Sequence, residues 1–134
     1  MISPVLDVGL EEALQSLCTD TSTLTRIPVR FSKDHFEYKG LPADMQLMLY
    51  RVLQEQINNI IKHAHASEVN VKLGVANNTL LLSIHDNGRG FNIDNKSKGV
   101  GMRNMKSRVE AYQGCFEVKS SVGKGTEVVI KIPV

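Results

Sequence analysis

Apolar residues recur at helical spacing between Leu49 and Ala64. Leu49, Leu53, Ile57, Ile60, Ile61 and Ala64 fall on one arc of a wheel turned by about 100° per residue, and Glu55, Asn59, Lys62 and His63 gather on the opposite arc. The pattern predicts a long helix that starts at Leu41 to Ala43, with Pro42 tolerated near its first turn, and runs to His63 or His65. Burying the first arc presents the second: a carboxylate, an amide, an ammonium and an imidazole within two turns, within reach of one ligand. Taken alone, such a face is more often an ordinary solvated one.

Other periods frame this helix. Upstream, Pro4 marks an irregular entry, and Leu10, Ala13, Leu14 and Leu17 predict a short helix from Gly9 to Leu17. Ile27, Val29 and Phe31 alternate, which predicts short strands over Thr23 to Ser32 and His35 to Tyr38. Downstream, Val69, Val71, Leu73 and Val75 alternate with Asn70, Lys72 and Gly74, and Asn77-Asn78 turns this strand into a second one, Thr79 to Ile84. The hairpin delivers Asp86 at a strand end.

From Asn92 to Lys98 no apolar period exists, so a mobile polar loop is expected, either a plain linker or a lid between two glycine blocks. Gly99 opens a helix with Met105, Val109 and Tyr112 on one face, and Gly114 suits the left-handed residue after its end. Cys115 to Ser120 and Thr126 to Val134 read as strands joined by a Ser121 to Gly125 turn, with Val128, Ile130 and Ile132 facing one way and Val129 and Lys131 the other. The order predicts an α+β fold: an antiparallel or mixed sheet with helices segregated to one face.

Composition narrows the function classes. With 134 residues and 42% apolar content, one domain with a real core is expected. A net charge of +2, with basic residues scattered among 14 acids, gives no electrostatic footprint for nucleic acid. Cys18 and Cys115 lie far apart without metal-type spacing, and read as two reduced thiols. No apolar run reaches the roughly 18 to 20 residues that span a bilayer, so this segment is expected to make no membrane contact and to be cytoplasmic, whatever anchors a larger parent.

Several residues are candidates for chemistry. An ionised Asp86 only accepts hydrogen bonds, so it seeks a donor, unless it merely caps a turn. Gly88 and Gly90 lack the β-carbons that would block close approach of backbone to a flat ring. Gly99 and Gly101 stand at a helix start, where unpaired amides favour phosphate, but lack the context of a P-loop or Rossmann fingerprint. Arg103, Lys106 and Arg108 read mainly as solvated helix charges. A single amide oxygen on Asn59 could complete a Mg²⁺ shell of phosphates and waters, whereas Asn58 turns about 100° away from Glu55. Glu55, one turn before Asn59, could orient a nucleophile or take its proton. Lys62 and His63 could neutralise phosphate charge, or His63 could be a packed or exposed structural residue.

Three blocks, RVLQEQINNIIKHAHAS at Arg51 to Ser67, HDNGRGF at His85 to Phe91 and GVGMRNMKSR at Gly99 to Arg108, followed by Gly125-Thr126, stand in one order. In that order they resemble the catalytic ATP-binding domain of two-component sensor histidine kinases, within the GHKL ATPase superfamily. The likeness covers about residues 43 to 134 and is closest to the branch that works with LuxR-type response regulators. It implies the two-layer α/β sandwich called the Bergerat fold. It also implies that Asp86 pairs with the exocyclic amine of adenine, that Asn59 contacts Mg²⁺, and that Gly99, Val100, Gly101 and Met102 meet the phosphates of ATP or ADP as a lid closes. Thr126 would help bind the adenine end through water, and Glu55 would face the attacking group.

By the same resemblance, Leu6, Gly9, Leu10, Ala13 and Leu14 look like the joint to a dimerisation domain, with the first spacer one residue short. Residues 1–22 are then the end of a linker plus a short helix, and 23–134 the ATP-binding domain. The phosphoacceptor histidine would lie on the separate dimerisation domain, since His35, His63, His65 and His85 all lie elsewhere. A response regulator would take the phosphoryl group next. Rival readings are another GHKL enzyme, such as an anti-sigma serine kinase or a segment-moving ATPase, and a non-catalytic nucleotide-responsive module. The chain has no room for the transducer domain of ATP-driven clamps, and intact Glu55, Asn59, Asp86, Gly88, Gly90, Gly99 and Gly101 argue against a decayed module.

Overall fold

The computed structural model of the chain describes residues 9–34, 40–92 and 100–134. In order they form α1 (Leu10–Thr25), β1 (Val29–Asp34), α2 (Ala43–Asn59) extended by a π-turn (Ile60–Ala64), β2 (Val69–Ala76), β3 (Thr79–Asp86), α3 (Val100–Glu110), β4 (Cys115–Ser120) and β5 (Thr126–Pro133). The strands make one sheet in the order β1-β2-β3-β5-β4. β1 runs parallel to β2, and every other pair is antiparallel.

Alternation decides which face of the sheet is covered. Val71, Leu73, Leu80, Leu82, Ile84, Val128, Ile130 and Ile132 are buried and share one core with Leu14 of α1, Leu49, Leu53 and Ile57 of α2, and Met105 and Val109 of α3. The opposite face carries exposed Lys72, Glu117 and Lys131. The expected α+β sandwich, a mixed and mostly antiparallel sheet with helices on one face, is the fold observed. The register also places Val29, Val69, Asp86, Thr126 and Ser120 in one row across the five strands, so one end of the sheet gathers two of the candidate residues.

Some elements depart from expectation. α1 continues past Leu17 to Thr25, and β1 starts at Val29 instead of Thr23. Cys18 and Thr21 prolong its buried stripe, and the hydroxyls of Thr21, Thr23 and Thr25 donate to the carbonyls of Leu17, Thr19 and Thr21. These local bonds absorb the side-chain polarity that normally makes threonine a poor helix residue. Position 22/23, expected to divide linker from domain, falls inside this helix. The strand expected at His35 to Tyr38 lies outside the described residues, as does Leu6.

α2 and its π-turn extend to Ala64, as the pattern predicts, but Ile61 is 43% exposed and Gln56 only 2%. The buried arc includes Val52 and Gln56, so its centre lies on the far side of Leu53 from Ile61. After α3 the left-handed residue is Gln113, at φ 60, and Gly114 occupies the tight space between Val109 and Ile132 instead.

Candidate functional site

A cavity of about 470 Å³ opens between α2 with its π-turn, the ends of β3 and β5, and the first turn of α3. Eight of the residues singled out from the sequence line it: Glu55, Asn59, His63, Asp86, Gly90, Gly101, Met102 and Thr126. Gly88 is buried next to the wall, and Val100 is the first residue of α3. Lys62, exposed on the π-turn, is not a wall residue, and neither are the exposed Arg103, Lys106 and Arg108. Gly99 and the expected loop beyond Asn92 lie outside the described residues.

Asp86 ends β3 with only 1% of its surface exposed. Its Oδ1 accepts the Gly88 N–H at 2.8 Å. Its Oδ2 is buried with no hydrogen-bond partner among the described residues. Burial pushes the carboxyl above its ordinary range, against the opposing pull of the Gly88 amide, the His85 charge and the Thr126 amide. A buried acceptor left unpaired is costly, so this oxygen suits a ligand that brings a donor into the cavity.

The loop after Asp86 is pressed on the π-turn. A β-carbon on Gly88 would overlap the carbonyl oxygen of Ala64, and that oxygen accepts the Arg89 N–H at 2.7 Å. A side chain at position 88 would drive the two segments apart. Gly90, at φ 63, follows in the wall.

On the helix, Asn59 Nδ2 donates to Oε1 of the buried Gln56 at 3.5 Å. The Asn59 amide oxygen is then the group it has to offer a cation. No cluster of three His, Cys, Asp or Glu side chains that could hold a metal exists among the described residues. A resident all-protein metal centre does not fit this wall, whereas an ion that keeps phosphates and waters as its other ligands does. Glu55 is half-buried beneath the start of α3, where an ideal β-carbon on Gly101 would come within 2.5 Å of its Oε1.

Thr126 is 6% exposed, and its Oγ1 lies 2.8 Å from Ser120 Oγ. Ser120 Oγ also accepts the Phe91 N–H at 2.9 Å and donates to the Gly125 carbonyl at 3.1 Å. With the Ser120 proton given to Gly125, Thr126 donates to Ser120 and keeps lone pairs for the cavity.

Sequence reasoning gives no site role to Gln56, Arg89 and Phe91, nor to Ile60 and Ala64 of the apolar arc, which all line the cavity, and misses Ser120, which braces it. Gln56 is within reach, since it lies between Val52 and Ile60 on the wheel, about 40° from Ile60. Ser120 becomes visible only when the register sets it opposite Thr126.

Comparison with known proteins agrees with this geometry. The family described as histidine kinase-, DNA gyrase B- and HSP90-like ATPase matches residues 44–134. The chain is 33% identical over 127 residues to the sensor histidine kinase LiaS of Bacillus subtilis, covering 94% of this chain and 34% of LiaS. It is 34% identical over 111 residues to the signal transduction histidine-protein kinase/phosphatase DegS of the same organism, covering 75% and 29%. Against the sensor protein VraS of Staphylococcus haemolyticus it is 32% identical over 128 residues, covering 95% and 36%. The chain thus spans about a third of the length of these curated relatives. A solved histidine kinase domain, from the blue-light activated histidine kinase of Erythrobacter litoralis EL346, shares the fold with a TM-score of 0.75 at 23% identity, over 92% of this chain and 60% of that one.

Proposed function

The chain belongs to the histidine kinase-, DNA gyrase B- and HSP90-like ATPase family, as an ATP-binding catalytic domain of the sensor histidine kinase type, and on that premise we propose that it presents the γ-phosphate of ATP to a histidine imidazole on a separate dimerisation domain. The phosphoryl group then passes to an aspartate of a response regulator, of the LuxR type. The domain works in the cytoplasm. No helix among the described residues is long and apolar enough to cross a membrane.

The observation that carries this reading is Asp86 Oδ2, an acceptor in a buried carboxyl with no partner among the described residues, in a cavity that Glu55, Asn59 and His63 also line. In the proposed complex Asp86 accepts the exocyclic amine of adenine and disfavours guanine, which presents an acceptor there. Thr126 supports the same end through its lone pairs. Asn59 gives one amide oxygen to Mg²⁺, and the first turn of α3, Gly101 and Met102, offers backbone amides to the phosphates. When bound, ATP would supply the transferable phosphoryl group and Mg²⁺ would neutralise part of its charge. His63 faces the charge that builds on the phosphates, and Glu55 orients the incoming imidazole.

Calorimetric titration of ATP, ADP and GTP, with and without Mg²⁺, tests this reading on the native chain and on Asp86→Asn. Adenine-selective binding is expected, strengthened by Mg²⁺ for ATP and weakened roughly 10- to 100-fold by the substitution, which removes a charged hydrogen bond. A folded native chain that binds no nucleotide up to millimolar concentration would sink the proposal. Adding a histidine-bearing helical domain in trans then tests transfer itself.

A further inference from the structure

Asn87 lies between Asp86 and Gly88, yet it is not part of the cavity wall. Its Oδ1 accepts two consecutive backbone N–H groups, those of Ser67 at 2.9 Å and Glu68 at 3.0 Å, and its Nδ2 donates to Ser67 Oγ at 2.7 Å. The backbone adds two more ties, from Asn87 N–H to the Glu68 carbonyl at 3.4 Å and from Arg89 N–H to the Ala64 carbonyl at 2.7 Å. Asn87 is exposed, so water could satisfy all of its partners. Three side-chain bonds at an exposed position therefore serve geometry more than the satisfaction of buried groups.

The two segments tied in this way lead to the lining residues that the ATP-site reading assigns to the two ends of the ligand. Residues 64 to 68 continue the helix that bears Glu55, Asn59 and His63, and residues 86 to 90 bear the buried carboxyl. A ligand that touches both ends depends on their spacing. A ligand that touches only the Asp86 end does not.

We propose that Asn87 is a positioning residue: by fastening the loop of Asp86 to the segment leaving α2, it sets the distance between the purine end and the phosphate end of the site, and so governs affinity for ligands that span both. The proposal rests on the ATP-site reading given above. Aspartate at this position keeps an oxygen for the two N–H groups, and the Ser67 hydroxyl can turn to donate to the second oxygen. Alanine keeps neither.

The test compares adenosine with Mg-ATP, by NMR or calorimetric titration, on the native chain, Asn87→Ala and Asn87→Asp. Asn87→Ala is expected to hold adenosine affinity within about twofold and to lose about tenfold in ATP affinity, the equivalent of one to two hydrogen bonds' worth of geometry. Asn87→Asp is expected to restore the ratio of the two affinities to near the native value. A folded Asn87→Ala whose ratio equals the native one, whether both affinities fall together or neither does, overturns the positioning role and leaves the ATP site standing. If Asn87→Ala does not fold, Ser67→Ala deletes only the bond from Nδ2, and a ratio lowered by about threefold supports the role while an unchanged ratio overturns it. A native chain that binds neither ligand overturns the ATP-site reading, and the role of Asn87 with it.

Discussion

Gly101 lies so close to Glu55 that a β-carbon on Gly101 would stand 2.5 Å from Glu55 Oε1. The first turn of α3 rests on the carboxylate proposed to orient the attacking imidazole. In Gly101→Ala the atom that yields is the tip of a flexible side chain, so Glu55 rotates and the fold absorbs the change. Alanine also favours a helix over glycine by about 1 kcal/mol. The expected outcome is a melting temperature equal to or above the native one, with phosphotransfer to a domain supplied in trans slowed about 10- to 100-fold. Native transfer rates would show that Glu55 has no such task.

The Asp86 carboxyl, raised by burial above its ordinary value of 3.8, ties stability to pH. Between that value and the raised one, the folded chain keeps a proton that the unfolded chain releases. The folded state then binds more protons, so stability falls as pH rises through that window. Asp86→Asn removes this loss together with the charge. Its melting temperature, measured against the native chain, is expected to compare more favourably at neutral pH than at or below pH 3.8, even as adenine affinity is lost. The opposite trend would show that hydrogen bonding to the carboxylate outweighs burial.

Ser120 is predicted to stabilise the fold and the site together. Ser120→Ala leaves the Phe91 N–H and the Thr126 hydroxyl without the partner each now has. A loss of roughly 1 to 3 kcal/mol is expected by urea denaturation, with weaker ATP binding because Phe91 and Thr126 both line the cavity. A variant that loses stability but keeps native affinity would confine Ser120 to the scaffold.

The two thiols should differ sharply in reactivity. Burial pushes Cys18 up to about 12, whereas Cys115 is exposed and raised chiefly by its hydrogen bond to Glu117. A thiol reagent at neutral pH is expected to modify Cys115 in the folded chain and Cys18 only after denaturation. Glu117→Gln should speed the reaction at Cys115. Rapid labelling of Cys18 in the native state would mean that α1 opens from the core.

Much of this arrangement could be read from the chain. The β2–β3 hairpin announced itself through alternation and through Asn77-Asn78, which adopt φ values of 52 and 58 as that turn requires. Glu55, Asn59 and His63 share a helix face, and local spacing is enough to find them. The extra length of α1 was hidden because CTDTSTLT has poor helix propensity, and only its threonine back-bonds and buried Cys18 reveal why it persists. The exposure of Ile61 and burial of Gln56 depend on where the sheet lies against α2, which a wheel does not contain. The bracing by Ser120 and the ties of Asn87 join positions 5 to 29 residues apart, most of them contacts that exist only once the strands are in register.

The register row from Val29 to Ser120 also divides the molecule lengthwise. β3 runs from Thr79 to Asp86, so at about 3.3 Å per residue Thr79, next to the Asn77-Asn78 turn, stands about 23 Å from Asp86 along the strand. Val134 sits beside that turn, its N–H bonded to the Asn78 carbonyl. The molecule therefore has a working end and a handle. A fluorophore, a surface tether or a fused reporter grafted at the handle leaves the working end untouched, and a bulky group placed there would report on what docks without standing in its way.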